Sequence, residues 1–278
     1  MRNNEERFGP PIQEDQTSAM QSGDNKLNFV TPTEIVELPS KGKFYQPGHP
    51  LHGKEEIEIK FMTAKEEDIL TNKSLLRKGV AIDKMLQSLL IDPGLKVDDL
   101  LVGDKNAVLL ASRISAYGAD YSVQVTCPAC EAKQKQEFDL SNIMSKEIEE
   151  KEVPSSVTQT QHGTFLFTLP RLGVSVEFRL MTSADESKIA KQVISKKEID
   201  NVSTGQLKTC IVSVNGMYDP QSIKQVSDNM IASDARALRN VIKDLTPEVD
   251  MEQDFSCENC GHEEGLEVPL TAEFFWPK

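Results

Sequence analysis

Apolar and polar residues alternate in two short stretches, EIEIKF from Glu56 and SVEFRL from Ser175, and this two-residue period predicts half-buried β-strands. Both stretches run into a Met-Thr pair, Met62-Thr63 and Met181-Thr182. Thr63 with Glu66, and Ser183 with Glu186, stand at capping-box spacing, so a helix is expected to open at each place. Val80, Met85, Leu86, Leu89 and Leu90 then recur near helical spacing, as do Ala107, Leu110, Ile114 and Tyr117. Asp104 is expected to cap the latter helix and Gly118 to close it. Leu207, Cys210, Ile211 and Val214 form a matching apolar stripe, which places Cys210 in a core as a buried thiol. YSVQVTCPACEAKQKQEFDL and MEQDFSCENCGHEEGLEVPL each predict strand, tight turn, strand around a Cys-x-x-Cys.

These elements recur in order. Met181 follows Met62 by 119 positions; Cys257 follows Cys127 by 130, and Cys260 follows Cys130 by the same 130. Gly103 to Asn106 and Ser233 to Arg236 keep that second offset, as do Glu137 with Glu267 and Leu140 with Leu270. Leu38-Pro39 and Leu169-Pro170 stand at corresponding places after strand-like runs. The pattern predicts a tandem duplication with four segments. Residues 1–28 form a polar, disordered N-terminal arm, 29–140 a first repeat, 141–161 an acidic and polar linker, and 162–278 a second repeat. The first repeat carries a long loop, SKGKFYQPGHPLHG, that the second replaces with a short turn. Phe44, Tyr45 and Leu51 in that loop are expected either to pack in the core or to anchor a partner, because added loops commonly make contacts.

Composition narrows the function. The net charge is -13, and Lys and Arg are scattered among acids, which disfavours a phosphate-backbone partner. No apolar run approaches the roughly 18 residues of a membrane helix. The opening MRNNEERFGPP lacks an apolar segment, so no secretory signal is expected. No phosphate-cradling glycine loop or nucleophile elbow occurs, and the acids of AKEEDIL and EIEEKE suit solvated faces. His49 and His52 lie in the long loop and suit its surface.

The cysteines carry the strongest chemistry. Two residues between cysteines let a tight turn aim both sulfurs at one ion, and a structural zinc takes four ligands in a closed tetrahedron. Cys127, Cys130, Cys257 and Cys260 therefore form one expected zinc site. The 126 residues between the pairs exceed the roughly 20 of ordinary ribbons, and duplication accounts for the gap, each repeat donating half a site. Disulfide or redox pairs are the rival; redox versions usually open a helix, whereas these stand between strands. His262 could replace a cysteine, although its counterpart is Ala132. The expected fold class is α+β, a duplicated strand–strand–helices–zinc-knuckle hairpin unit whose two knuckles join in one zinc-ribbon-like site.

Leu38-Pro39-Ser40-Lys41-Gly42, the loop from Tyr45 to Pro50, and Met62-Thr63-Ala64 followed by Glu66-Glu67-Asp68 resemble the opening of baseplate hub proteins of T-even-like tailed bacteriophages. The resemblance covers residues 33–140 well and the remainder less sharply. It implies a non-enzymatic hub subunit or hub-assembly factor whose partners are other phage baseplate and tail proteins, with no small-molecule substrate. It places the chain in the host cytoplasm during assembly, with the virion's tail baseplate left open as a destination. The alternative is a zinc-ribbon nucleic-acid-binding accessory of replication or transcription, for which Lys133 and Lys135 beside the first knuckle are the one local hint. DNA titration at low salt discriminates the two. A redox enzyme would instead show a reversible two-electron titration of its cysteines.

Overall fold

A computed structural model describes residues 31–144, 152–196, 202–268 and 272–275. The arm expected over 1–28 lies outside the described residues. Pro32–Lys278 forms one compact unit, with one continuous hydrophobic core drawn from both expected repeats.

The chain opens with an antiparallel hairpin of β1 (Thr33–Glu37) and β2 (Glu56–Lys60), in register Val36↔Ile57. Alternation buries Val36, Ile57 and Ile59 and leaves Ile35 and Glu58 outside. Next come α1 (Ala64–Thr71), α2 (Lys73–Arg77) and α3 (Ala81–Leu89). α3 buries Met85, Leu86 and Leu89 along one stripe. Leu90, directly after it, makes a single bridge to Ile59. α4 (Val102–Tyr117) is the central helix, buried over most of its turns, and Gly118 at φ 83° ends it where a side chain would be strained. The β3 (Asp120–Thr126) and β4 (Lys133–Asp139) hairpin follows, then α5 (Leu140–Met144).

Strands β5 (Val157–Gln159), β6 (Phe165–Thr168), β7 (Ser175–Phe178) and β8 (Ile211–Val214) form an antiparallel sheet in that order. Between β7 and β8 lie α6 (Ser183–Lys196) and α7 (Val202–Cys210). Then come α8 (Pro220–Asn229), α9 (Ala232–Leu245), and the hairpin of β9 (Glu252–Ser256) and β10 (Glu263–Glu267). A 3-10 turn over Ala272–Phe275 inserts Phe274 and Phe275 into the core. Arg113, fully buried in α4, holds that turn. Its guanidinium donates to the carbonyls of Phe274 (2.6 Å), Gly118 (2.7 Å) and Asp120 (3.1 Å).

Three local expectations change. The stripe Leu207 to Val214 is not one helix: α7 stops at Cys210, and the β-branched run from Ile211 pairs with β7 through Phe178↔Ile211. The capping box at Thr63 and Glu66 is present with both bonds, but at the start of α6 the acid's half of such a box falls one residue earlier than Ser183 and Glu186. There Asp185 accepts from the Thr182 N–H (3.1 Å) and hydroxyl (3.0 Å). Asp104 is no N-cap; Leu101 holds that position. Asp104 turns instead to the long loop, accepting from the Ser40 N–H (2.9 Å), the Ser40 hydroxyl (2.7 Å) and the Tyr45 hydroxyl (2.6 Å). The stretch expected as a linker, 141–161, contains most of α5 and all of β5; residues 145–151 lie outside the described residues.

Candidate metal centre

Each Cys-x-x-Cys forms the turn of its hairpin with the same main-chain wiring. The Cys127 N–H donates to the Ala132 carbonyl (2.8 Å) and the Glu131 N–H to the Cys127 carbonyl (2.9 Å). In the second turn, the Cys257 N–H donates to His262 and the Gly261 N–H to Cys257, both at 2.9 Å. Closing so tight a turn needs a left-handed residue after the second cysteine. Gly261 takes it at φ 67°, and Glu131 takes it at φ 59° against the preference of a side-chain-bearing residue.

The two turns meet. All four sulfurs lie within 4.8 Å of one another. Cys127 Sγ is 3.8 Å from Cys260 Sγ, and Cys130 Sγ is 3.7 Å from Cys257 Sγ. A thiolate tetrahedron with metal–sulfur bonds of about 2.3 Å has edges of about 3.8 Å, so the donor set fits a tetrahedral ion. A disulfide needs sulfurs about 2.05 Å apart, and all four thiols are free. Cys127 and Cys257 are buried, Cys130 is half-buried and Cys260 is exposed. The Cys130 thiol is pulled down to about 6, first by the Asn259 amide and then by the Ala132 backbone. Cys260 is pushed up to about 12: its own backbone bond at His262 lowers it, but hydrogen bonds with Cys130, Cys257 and Cys127, together with burial, outweigh that. Cys130 and Cys260 hold their protons unevenly, and a bound dication would displace thiol protons from the site.

Side chains lash the hairpins together around the sulfurs. Gln134 bridges to the second turn twice, donating to the Ser256 carbonyl and accepting from the Glu258 N–H, both at 2.9 Å. Gln253 returns the link by donating to the Asp139 carbonyl (2.7 Å). No sequence signal marked these glutamines, since a polar residue on a hairpin strand is ordinary. His262 faces Glu264 (3.0 Å) and stands outside the sulfur group. Cys210 is also separate, its thiol pushed up to about 11 by burial at the end of α7.

Phe44, Tyr45 and Leu51 are all buried, which corrects their expected role as partner anchors: their side chains belong to the core. Phe44 packs on Phe165 (centroids 5.7 Å apart), and Tyr45 spans Asp104 and the Leu101 N–H. His49 stacks on the Tyr45 ring at 4.4 Å, and the His52 ring bonds to the Tyr45 carbonyl (2.7 Å), so both histidines brace the loop. The loop folds inward because Asp104, buried at the start of α4, offers it an acceptor.

The family described as T4 bacteriophage base plate protein matches residues 31–276, so the chain belongs to that family. No curated protein and no solved structure matches it. No described helix is long and apolar enough to cross a membrane.

Proposed function

We propose that the chain is a non-enzymatic hub or hub-assembly protein of the tail baseplate, braced by one structural zinc and acting through contacts with other baseplate and tail proteins. Family membership over residues 31–276 carries this reading. Cys127, Cys130, Cys257 and Cys260 would hold the ion, which supplies cross-linking rather than reaction chemistry in a closed four-thiolate site. The net charge of -13 favours protein partners over nucleic acid. Work during assembly falls in the host cytoplasm, and the baseplate of the virion is the destination.

The same reading includes a tandem duplication. Asp104 and Asp234 support it: both are fully buried at the third position of a helix, and both accept from the backbone just after a Leu-Pro. The caps Thr63–Glu66 and Thr182–Asp185 support it too, as do the bridges Ile59↔Leu90 and Phe178↔Ile211. An experimental structure tests the duplication: residues 38–140 should superpose on 169–270, apart from 40–53. For function, phage carrying Cys127→Ser and Cys257→Ser should yield particles without assembled baseplates. Normal baseplates, with the protein missing from both particles and assembly intermediates, would refute the hub role.

A further inference from the structure

The two repeats meet through a contact that is used once inside the chain and left open at both ends. Leu101, just before α4, bridges Thr182, just before α6, in antiparallel fashion. The Ser183 N–H donates to the Leu100 carbonyl (2.8 Å) and the Val102 N–H to the Met181 carbonyl (3.3 Å). Behind this bridge, Lys105 on α4 pairs with Glu186 on α6 at 2.8 Å. Leu100, Leu101 and Ser183 are buried there.

Given the duplication proposed above, the reciprocal surfaces follow from the offsets. The counterparts of Leu100, Leu101 and Val102 are Met230, Ile231 and Ala232; those of Met181, Thr182 and Ser183 are Met62, Thr63 and Ala64. Among the described residues no bridge or hydrogen bond joins these two segments. Ile231 is 47% exposed where Leu101 is 5% exposed, and Thr63 and Ala64 are exposed where Ser183 is buried. At the helix starts Thr63 already holds the Lys65 and Glu66 N–H groups and Ile231 the Asp234 N–H, whereas the first N–H of each helix, at Ala64 and Ala232, has no acceptor within its own helix or cap by helix geometry. Charge matches as well. The α4 face Lys105, Asn106 and Leu109 corresponds to Ala235, Arg236 and Arg239 on α9. The α6 face Glu186 and Ser187 corresponds to Glu67 and Asp68 on α1. Among the described residues, Arg236 is exposed with no carboxylate paired to it, and no cation pairs with the Asp68 carboxylate. A cationic face on α9 and an anionic face on α1 repeat the sense of the Lys105–Glu186 pair.

We propose that the chain docks on a second copy of itself head to tail, with the Ile231 end of α9 in one copy against the Thr63 end of α1 in the next. The contact is heterologous, so it closes into a ring or extends as a filament according to the rotation between copies.

Sedimentation of the full, metal-loaded chain across a concentration series tests this, using Arg236→Glu and Asp68→Arg. Both positions are exposed, so each variant should melt like the parent. The parent should self-associate, and each variant alone should associate about tenfold or more weakly. Mixing the two variants should restore assembly, because the reversed α9 face of one meets the reversed α1 face of the other. A parent that stays monomeric at every concentration, or association indifferent to both substitutions, would overturn the docking. Either result leaves the duplication standing, since that falls only if the two repeats fail to superpose.

Discussion

Asp104 and Asp234 hold two loops of very different length in the same way. Asp234 needs only the N–H groups of Arg171 and Leu172, at 3.0 and 2.9 Å, because its loop turns back at once. Asp104 anchors fourteen residues, from Ser40 to Gly53, and recruits the Ser40 and Tyr45 hydroxyls to do so. The comparison teaches that the buried carboxylate at the helix start is the fixed element and the loop the variable one. A long loop at such a place can fold inward, which is why Phe44, Tyr45 and Leu51 are core residues. The turns at the cysteines differ in the same limited manner: the wiring is shared, while Glu131 and Gly261 reach one backbone conformation at unequal cost.

The largest effect should come from the feature the two Cys-x-x-Cys turns share. Cys127→Ser and Cys257→Ser should be equally damaging, because each would remove one of the four ligands of the proposed site, where binding free energy would be folding free energy, about 10 kcal/mol or more in small zinc domains. Chelation followed by limited proteolysis should open the chain to cleavage near residues 145–160. Fraying of the β9–β10 hairpin alone would show that the ion does not clamp the repeats.

The aspartates come next, and here the repeats should diverge. Asp104→Ala strands two hydroxyls and an N–H in the core and should cost about 3–5 kcal/mol in denaturant unfolding. Asp234→Ala strands two N–H groups near the surface and should cost about 2 kcal/mol. Equal losses would mean that Tyr45 contributes nothing to holding the long loop. Arg113 sharpens the comparison in another way, since Lys243 stands 130 positions on in α9 and its side chain makes no such bonds among the described residues. Arg113→Lys should cost about 2–3 kcal/mol, because an ammonium cannot fork to three carbonyls as the guanidinium does. Hydrogen exchange should show the loss at Phe274 and Phe275 first. The smallest effect is expected at Glu131→Gly, which relieves a left-handed residue and should stabilise the chain by up to about 1 kcal/mol; Gly261→Ala should cost a similar amount. A destabilised Glu131→Gly would show that the Glu131 side chain earns its strain.

Much of the centre was legible because cysteine spacing is local. Cys127 to Cys130 and Cys257 to Cys260 specify two turns, and their equal spacing already pointed to one shared site, where the fold brings all four sulfurs within 4.8 Å. The hairpins and α4 were legible from period alone. The boundary at Cys210 was not, because Leu207, Cys210, Ile211 and Val214 satisfy a helical stripe while β7 offers the same residues a partner. The inward loop was not legible either: Phe44 and Tyr45 look alike in sequence whether they meet Phe165 and Asp104 or a neighbouring protein. The lashing by Gln134 depends on a carbonyl and an N–H more than 120 residues away.

The central claim is that one ion joins the two repeats. Native mass spectrometry of the full chain under reducing conditions tests it most directly. One zinc per chain, lost wholly in both Cys127→Ser and Cys257→Ser, is the predicted result. A folded chain carrying no metal, or two equivalents of zinc of which each variant keeps one, would contradict it.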